Sequence, residues 1–137
     1  MGVHSVIGEE AEPVNAYQRE AAKLLRRYHL TLRPVSGYYG SAPWHSDQIT
    51  APDPRSPLRF AIFLHEMGHK VLGHARGTVW RQEAAAWSWA LARYRLTTGR
   101  PPSVVLRRAR RGIRAHLRMA ARRKARGLER FAQITLD

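Results

Sequence analysis

The segment His65-Glu66-Met67-Gly68-His69 holds the residues whose types and spacing could do chemistry. In a helix, residues four apart lie about 40° apart around the axis and one turn apart along it, so both imidazoles can reach one cation. Glu66 lies beside them and can accept the proton of an attacking water without binding the metal itself. Imidazole donors around an open position favour zinc. The segment therefore predicts a hydrolytic zinc site.

A chance match is the alternative, because five-residue patterns occur at random and two histidines four apart can lie on a solvated helix face. Gly68 argues against that alternative. Glycine inside a helix costs about 1 kcal/mol relative to alanine. That cost is unexpected in a purely structural helix and natural where another group must approach closely.

A catalytic zinc needs a third protein ligand, and Glu83 is the best candidate. It follows the turn at 73–78, so a second helix packed antiparallel to the first would return it to the level of His69. Its neighbours along the chain are apolar, and an unpaired carboxylate would be costly to bury among them unless a cation compensates. The alternative is a surface residue near Arg81. His74 competes for the same role: we interpret it as a helix-end residue that could also orient a metal ligand or bind the metal itself.

Peptide hydrolysis also needs a donor for the oxyanion that forms at the scissile carbonyl. Tyr38, Tyr39 and His45 are candidates, and the sequence gives no geometric reason to choose among them. His29 and His116 have no comparable context, and we interpret them as surface or structural residues.

The first elements that must position these residues are a helix and two short strands. Pro13–Leu30 has apolar residues at three- and four-residue steps and predicts a helix. Leu30–Val35 alternates and predicts a strand. Asp47–Ala51 could pair with it across the turn at 37–40, which gives a short β-hairpin or a small sheet.

Three further helices complete the predicted fold, which is α+β and mostly helical. Ser56 is a predicted N-cap, with Pro57 at the first position of a helix that runs to residue 74. The following helix covers 79–97. Ser103 caps a final basic helix that runs to about residue 125, with Gly127 as its stop. Because residues 98–102 form the clearest break, we predict a domain at 1–99 and a C-terminal helical extension at 100–137.

Three stretches of the chain together carry a family resemblance. They are Arg59-Phe60-Ala61-Ile62-Phe63-Leu64-His65-Glu66-Met67-Gly68-His69, Leu72-Gly73-His74 and Glu83-x-x-Ala86-x-x-Trp89-Ala90. Over about residues 15–97 the chain resembles the ImmA/IrrE family of zinc peptidases, which are found in phages, mobile elements and stress-response operons. The resemblance implies that His65, His69 and Glu83 bind Zn²⁺ and that Glu66 is the general base. It also implies a transcriptional repressor as the protein substrate. Antirestriction proteins with a similar metallopeptidase domain, and SprT-like proteases that act on DNA-bound proteins, are alternatives.

Positive charge is concentrated in the last quarter of the chain. The formal net charge is +14, and residues 100–137 hold 12 of the 24 basic residues but only 2 of the 10 acidic ones. No carboxylate lies between Glu83 and Glu129. Such a helix repels itself unless an anion attends it, and nucleic-acid phosphate is the anion we favour. The predicted DNA- or RNA-binding residues are Arg107, Arg108, Arg110, Arg111, Arg114, Arg118, Arg122, Arg123 and Lys124. The alternative is a solvated or protein-packed face.

Composition limits the kinds of site and the cellular compartments that we expect for the chain. The absence of cysteine excludes disulfides and thiolate metal ligands. The longest apolar run is far shorter than the ~20 residues of a membrane span, and the acidic N-terminal segment does not resemble a signal peptide. We therefore expect a cytoplasmic protein, in a bacterium or a phage-infected host cell. A small basic nucleic-acid-binding protein with a structural or inactive metallopeptidase-like site is the alternative function.

Overall fold

A computed structural model describes residues 15–73 and 79–136, with side chains as far as residue 126. In these ranges the chain forms four helices and one small sheet, which confirms the predicted α+β, mostly helical class. The elements in chain order are α1 (Ala16–Arg27), β1 (Thr31–Val35), β2 (Gln48–Pro52), α2 (Pro57–Val71), α3 (Val79–Thr98) and α4 (Ser103–Leu136).

Helix α1 begins at a capping box. The Asn15 side chain accepts a hydrogen bond from the Gln18 backbone N–H, and the Gln18 side chain accepts one from the Asn15 backbone N–H. The helix buries Ala21 and Leu24 against the core. It ends at Arg27, just before His29 with its positive φ of 54°.

The two strands pair in parallel, so the predicted hairpin is wrong and the small sheet is right. The register runs from Thr31 opposite Gln48 to Val35 opposite Pro52. The turn at 37–40 does not lead directly into β2. Instead the chain continues to Ser41, which pairs antiparallel with Thr50 of β2. Parallel strands need such a crossover connection, which here is residues 36–47.

Helix α2 is the central element of the fold. As predicted, the Ser56 side chain caps it and Pro57 occupies the first turn. Its residues 60–64 are all buried, and it packs against α1, β2, α3 and α4. The helix ends at Val71 rather than at 74, since Gly73 takes a positive φ of 68°, which favours glycine.

The core joins the helices at one end through aromatic rings. Phe60 of α2 packs against Tyr94 of α3 with ring centroids 5.6 Å apart, and the Tyr17 hydroxyl of α1 lies 3.2 Å from that of Tyr94. Further along, Gly68 of α2 meets Ala86 of α3. From the first of these contacts to the second, the residue numbers rise along α2 and fall along α3. The two helices therefore run antiparallel.

Helix α4 extends further than predicted. It continues through Gly127 to Leu136, so the predicted stop is wrong. One glycine costs a helix about 1 kcal/mol, and the arginine, leucine and alanine residues around it are strong helix formers. Val105 and Ala109 of α4 belong to the same buried cluster as α2 and α3. No helix in the described ranges has the length and apolarity needed to cross a bilayer.

Candidate metal centre

Helix α2 places the two motif histidines side by side. His65 and His69 lie one turn apart, and their Nε2 atoms are 3.2 Å apart. The His65 ring stacks on the Trp87 indole of α3, with centroids 4.4 Å apart and ring planes 14° apart. This stacking fixes the plane in which the His65 nitrogens lie.

Glu83 of α3 completes the cluster. Its Oε2 lies 2.8 Å from the His65 Nε2, and its Oε1 lies 3.0 Å from the His69 Nε2. The close packing of Gly68 on Ala86 makes this possible, because it brings the two helix backbones together next to the histidines. The antiparallel packing predicted from the sequence is thus what carries Glu83 to both imidazoles.

The spacing of the donor atoms fits a metal ion. In a tetrahedral site with bonds of about 2.0–2.1 Å, neighbouring donor atoms lie about 3.3 Å apart. The observed separations are close to that distance, and all the donor atoms lie within 4.8 Å of one another. His65, His69 and Glu83 therefore form a group that could hold a metal ion.

The electrostatics of the cluster keep Glu83 ionised. Burial alone would raise the pKa of Glu83, but the hydrogen bonds from His65 and His69 lower it far below its ordinary range. Burial alone would lower the pKa of His65, but the hydrogen bonds and charges of Glu66 and Glu83 outweigh it and raise that pKa to about 9. A metal ion must therefore displace a proton from His65 at neutral pH.

Glu66 lies behind the first histidine. Its Oε1 is 3.1 Å from the His65 Nδ1, so a proton on Nδ1 leaves the Nε2 lone pair facing the cluster. Its Oε2 is buried and has no hydrogen-bond partner among the described residues. Such an atom in a native structure needs an explanation, and a bound water, a ligand or a catalytic role would each supply one.

Gly40 of the crossover lies directly over Glu66. A methyl group added at Gly40 would lie 2.8 Å from the Glu66 Cγ and 2.6 Å from the Thr50 carbonyl oxygen. The Lys70 ammonium of α2 also donates to carbonyl oxygens of the crossover, at Pro43 and at residue 46. These contacts hold the crossover against the metal helix and confine the Glu66 side chain.

One residue near the cluster was missed by sequence reasoning. His116 of α4, interpreted above as surface or structural, places its Nε2 3.8 Å from the Glu83 Oε1. Its side chain is 29% exposed. The available signal was helical spacing: His116 lies four residues after Gly112 and seven after the buried Ala109, on the side of α4 that faces the core.

Three other predicted site residues lie in the crossover at 36–47, and one lies outside the described residues. Tyr38 is half exposed beneath the Arg59 guanidinium, which lies 4.9 Å from its ring centroid. Tyr39 is 59% exposed, and His45 packs edge-on against Trp44. An oxyanion role for any of them stays a prediction. His74 lies outside the described residues.

The predicted nucleic-acid-binding residues form an outer face of α4. Eight of the nine are exposed, and Arg108 is partly buried beside Gly112. A concave part of this face, with a volume of about 320 Å³, is lined by Arg107, Arg110, Arg111, Arg114 and Arg118. The arginine side chains are therefore available to an anion.

Comparisons with protein-family models, curated proteins and solved structures found no match to this chain. The ImmA/IrrE resemblance therefore stays a prediction. What bears on function is the arrangement of the side chains themselves.

Proposed function

We propose that the chain is a zinc-dependent peptidase that hydrolyses a peptide bond in a protein substrate. One observation carries the proposal: a group that could hold a metal ion lies next to Glu66, whose buried Oε2 has no hydrogen-bond partner in the part of the chain that the structure describes. The HExxH pattern needs this pairing of a metal group with an adjacent carboxylate. A merely structural metal site does not need the unpaired oxygen.

Zinc is the metal we favour, because two imidazoles and one carboxylate make up the three-ligand set of many catalytic zinc sites. When bound, the ion would polarise the scissile carbonyl and lower the pKa of water. The protein supplies the proton transfers. The Glu66 Oε2 accepts the proton of the attacking water, and the same carboxyl then returns it to the leaving amine. Meanwhile the Glu66 Oε1 orients the His65 ring.

The proposal is tested first by elemental analysis of the purified full-length chain. We expect about one zinc per chain in the wild type and in Glu66→Gln, and much less in Glu83→Ala, since Glu83 touches both imidazoles. Zinc-free wild-type protein, or undiminished zinc in Glu83→Ala, would contradict the assignment of these ligands.

Cleavage is then tested on a proteome-derived peptide library, because the proposal names a class of substrate and not a single sequence. New peptide termini should form with the zinc-loaded wild type and disappear with Glu66→Gln or after chelation. If the wild type gives no more new termini than Glu66→Gln, the chain is not a peptidase on such substrates. The metal site would then be structural or inactive.

A second candidate function is nucleic-acid binding through α4. It is favoured by the exposed arginine face and by the absence of carboxylates between Glu83 and Glu129. Arginine contacts with phosphate would give binding that is strongly salt-dependent and nearly blind to sequence. The two functions are compatible. A peptidase held on DNA would act on DNA-associated proteins, and a repressor is the substrate we favour within that class.

A further inference from the structure

Helix α4 contacts the metal centre directly. Gly112 lies over the side chains of α3: a methyl group added there would lie 3.2 Å from the Trp87 Nε1 and 3.9 Å from the Glu83 Oε2. One turn further along α4, His116 directs its Nε2 toward the other oxygen of the same carboxylate, 3.8 Å away. The basic helix therefore forms one wall of the cluster.

Two buried polar atoms lie at this wall, one on α4 and one on the facing helix α3. The His116 Nδ1 and the Trp87 Nε1 are both buried, and neither has a hydrogen bond to the described residues. Buried polar groups without partners cost free energy and are uncommon. The Trp87 Nε1 lies next to Gly112, and the other ring nitrogen of His116 is the one that faces Glu83.

We propose that His116 is a positioning residue of the metal centre, whose Nε2–H donates a hydrogen bond to the Glu83 carboxylate. A carboxylate that binds a metal through one oxygen needs a donor for the other, and such outer partners orient the ligand. The inference rests on metal binding at the centre, as the proposed function does.

The position of His116 relative to the whole cluster favours this role over direct metal binding. His116 is not among the donor atoms that lie within 4.8 Å of one another. The His116 Nε2 lies 3.8 Å from the Glu83 Oε1, and a hydrogen bond at about 2.9 Å requires an approach of about 1 Å. A fourth ligand would also fill the position that hydrolysis needs open.

The test compares zinc affinity among three variants, measured by competition with a chromophoric chelator. His116→Ala and His116→Leu should raise the Kd for Zn²⁺ about 10–100-fold, the usual cost of losing an outer partner. His116→Gln should restore most of the affinity, because its amide nitrogen can donate from nearly the position of Nε2. The control is His29→Asn, which removes an exposed imidazole and keeps a residue that tolerates positive φ.

The visible spectrum of the Co²⁺-loaded protein gives a second readout. The spectrum of His116→Ala should keep the intensity of the wild type, since the number of protein ligands is unchanged. A loss of intensity that indicates one ligand fewer would make His116 a ligand and overturn the proposal. A wild-type Kd in His116→Ala, or a Kd in His116→Gln as high as in His116→Leu, would also overturn it.

Failure of this inference is distinguishable from failure of the proposed function. If the wild type binds zinc and Glu66→Gln loses cleavage while the His116 variants bind zinc normally, only the role of His116 is wrong. If the wild type binds no zinc, both proposals fail. Thermal unfolding of each metal-free variant shows whether the fold has been kept.

Discussion

Gly68 and Ala86 lie in backbone contact where α2 packs on α3, and a methyl group added at Gly68 would lie 2.8 Å from the Ala86 carbonyl oxygen. Glycine is therefore present for close approach and not for an unusual backbone angle. On the same two helices, Glu83 reaches the imidazoles that flank Gly68. Gly68, which is unfavourable for a helix, is thus the residue that lets α2 and α3 bring the three candidate ligands together.

Gly68→Ala should separate the two helices and weaken the metal centre. Alanine gains about 1 kcal/mol in helix propensity, but its methyl group meets Ala86 backbone that cannot rotate away, and overpacking of this kind costs about 1–3 kcal/mol. We expect a lower Tm and a loss of zinc by elemental analysis. Ser88→Ala, exposed on α3, is the control. Unchanged zinc content with a raised Tm would mean that the helices close without help from the glycine.

Gly40→Ala should reduce cleavage while zinc binding is retained. The added methyl group would overlap the Glu66 Cγ and the Thr50 carbonyl oxygen, so the Glu66 carboxylate must shift. Its Oε2 would then be misplaced for proton transfer, and we expect kcat to fall at least about tenfold, within the range of general-base catalysis. Ser36→Ala, exposed in the same crossover, is the control. Full activity in Gly40→Ala would show that Glu66 does not need its present position.

The stability of the metal-free chain should be greatest between about pH 4.5 and 6.5. The folded-state pKa of His65 is raised from 6.5 to about 9, so its contribution is complete below pH 6.5 and is lost as the pH rises through 9. The pKa of Glu83 is lowered from 4.5, so its contribution is present above pH 4.5 and is lost in acid. Denaturant unfolding with a chelator present, at several pH values, measures this profile.

Bound zinc should oppose the loss of stability that the metal-free chain shows as the pH rises above 6.5. Zinc needs neutral imidazoles, so its stabilising effect should grow from pH 6 to pH 8 as protons leave. His65→Gln should flatten the metal-free profile above pH 6.5, whereas His29→Asn should leave it unchanged. A metal-free chain that becomes more stable from pH 6.5 to 9 would contradict the ion pairing described for His65.

Binding of α4 to duplex DNA should weaken steeply as salt rises. Each phosphate contact contributes about −0.9 to the slope of log K against log salt, so five contacts would cost roughly 500-fold between about 50 and 200 mM salt. Replacing Arg107, Arg111 and Arg114 with glutamine should lower the magnitude of that slope by about 3. Arg95→Gln, exposed on α3, is the control. Fluorescence anisotropy with DNA and RNA duplexes measures both effects, and equal affinity at the two salt concentrations would exclude phosphate binding.

The parts of the site that were predictable from sequence depend on local geometry. His65 and His69 share one helix, so their spacing alone fixes their relation. Glu83 was identified because a carboxylate in an apolar segment needs a compensating charge. His116 was missed because helical spacing places it on the same face as Ala109 and Gly112 but does not show that this face packs beside Glu83. The hairpin failed for a similar reason: after the turn the chain passes through Ser41, which pairs with Thr50, and β2 then lies parallel to β1, which the turn residues do not encode.

The aromatic core formed by Phe60, Tyr94 and Tyr17 lies at the end of α2 away from the two imidazoles. These aromatic contacts hold the helices together without a metal ion. Small zinc fingers differ, because they are unfolded when the metal is removed. We therefore expect the chain to fold without metal and, under the proposed function, to bind zinc afterwards. The zinc supply would then control when the peptidase becomes active, but not whether the chain folds.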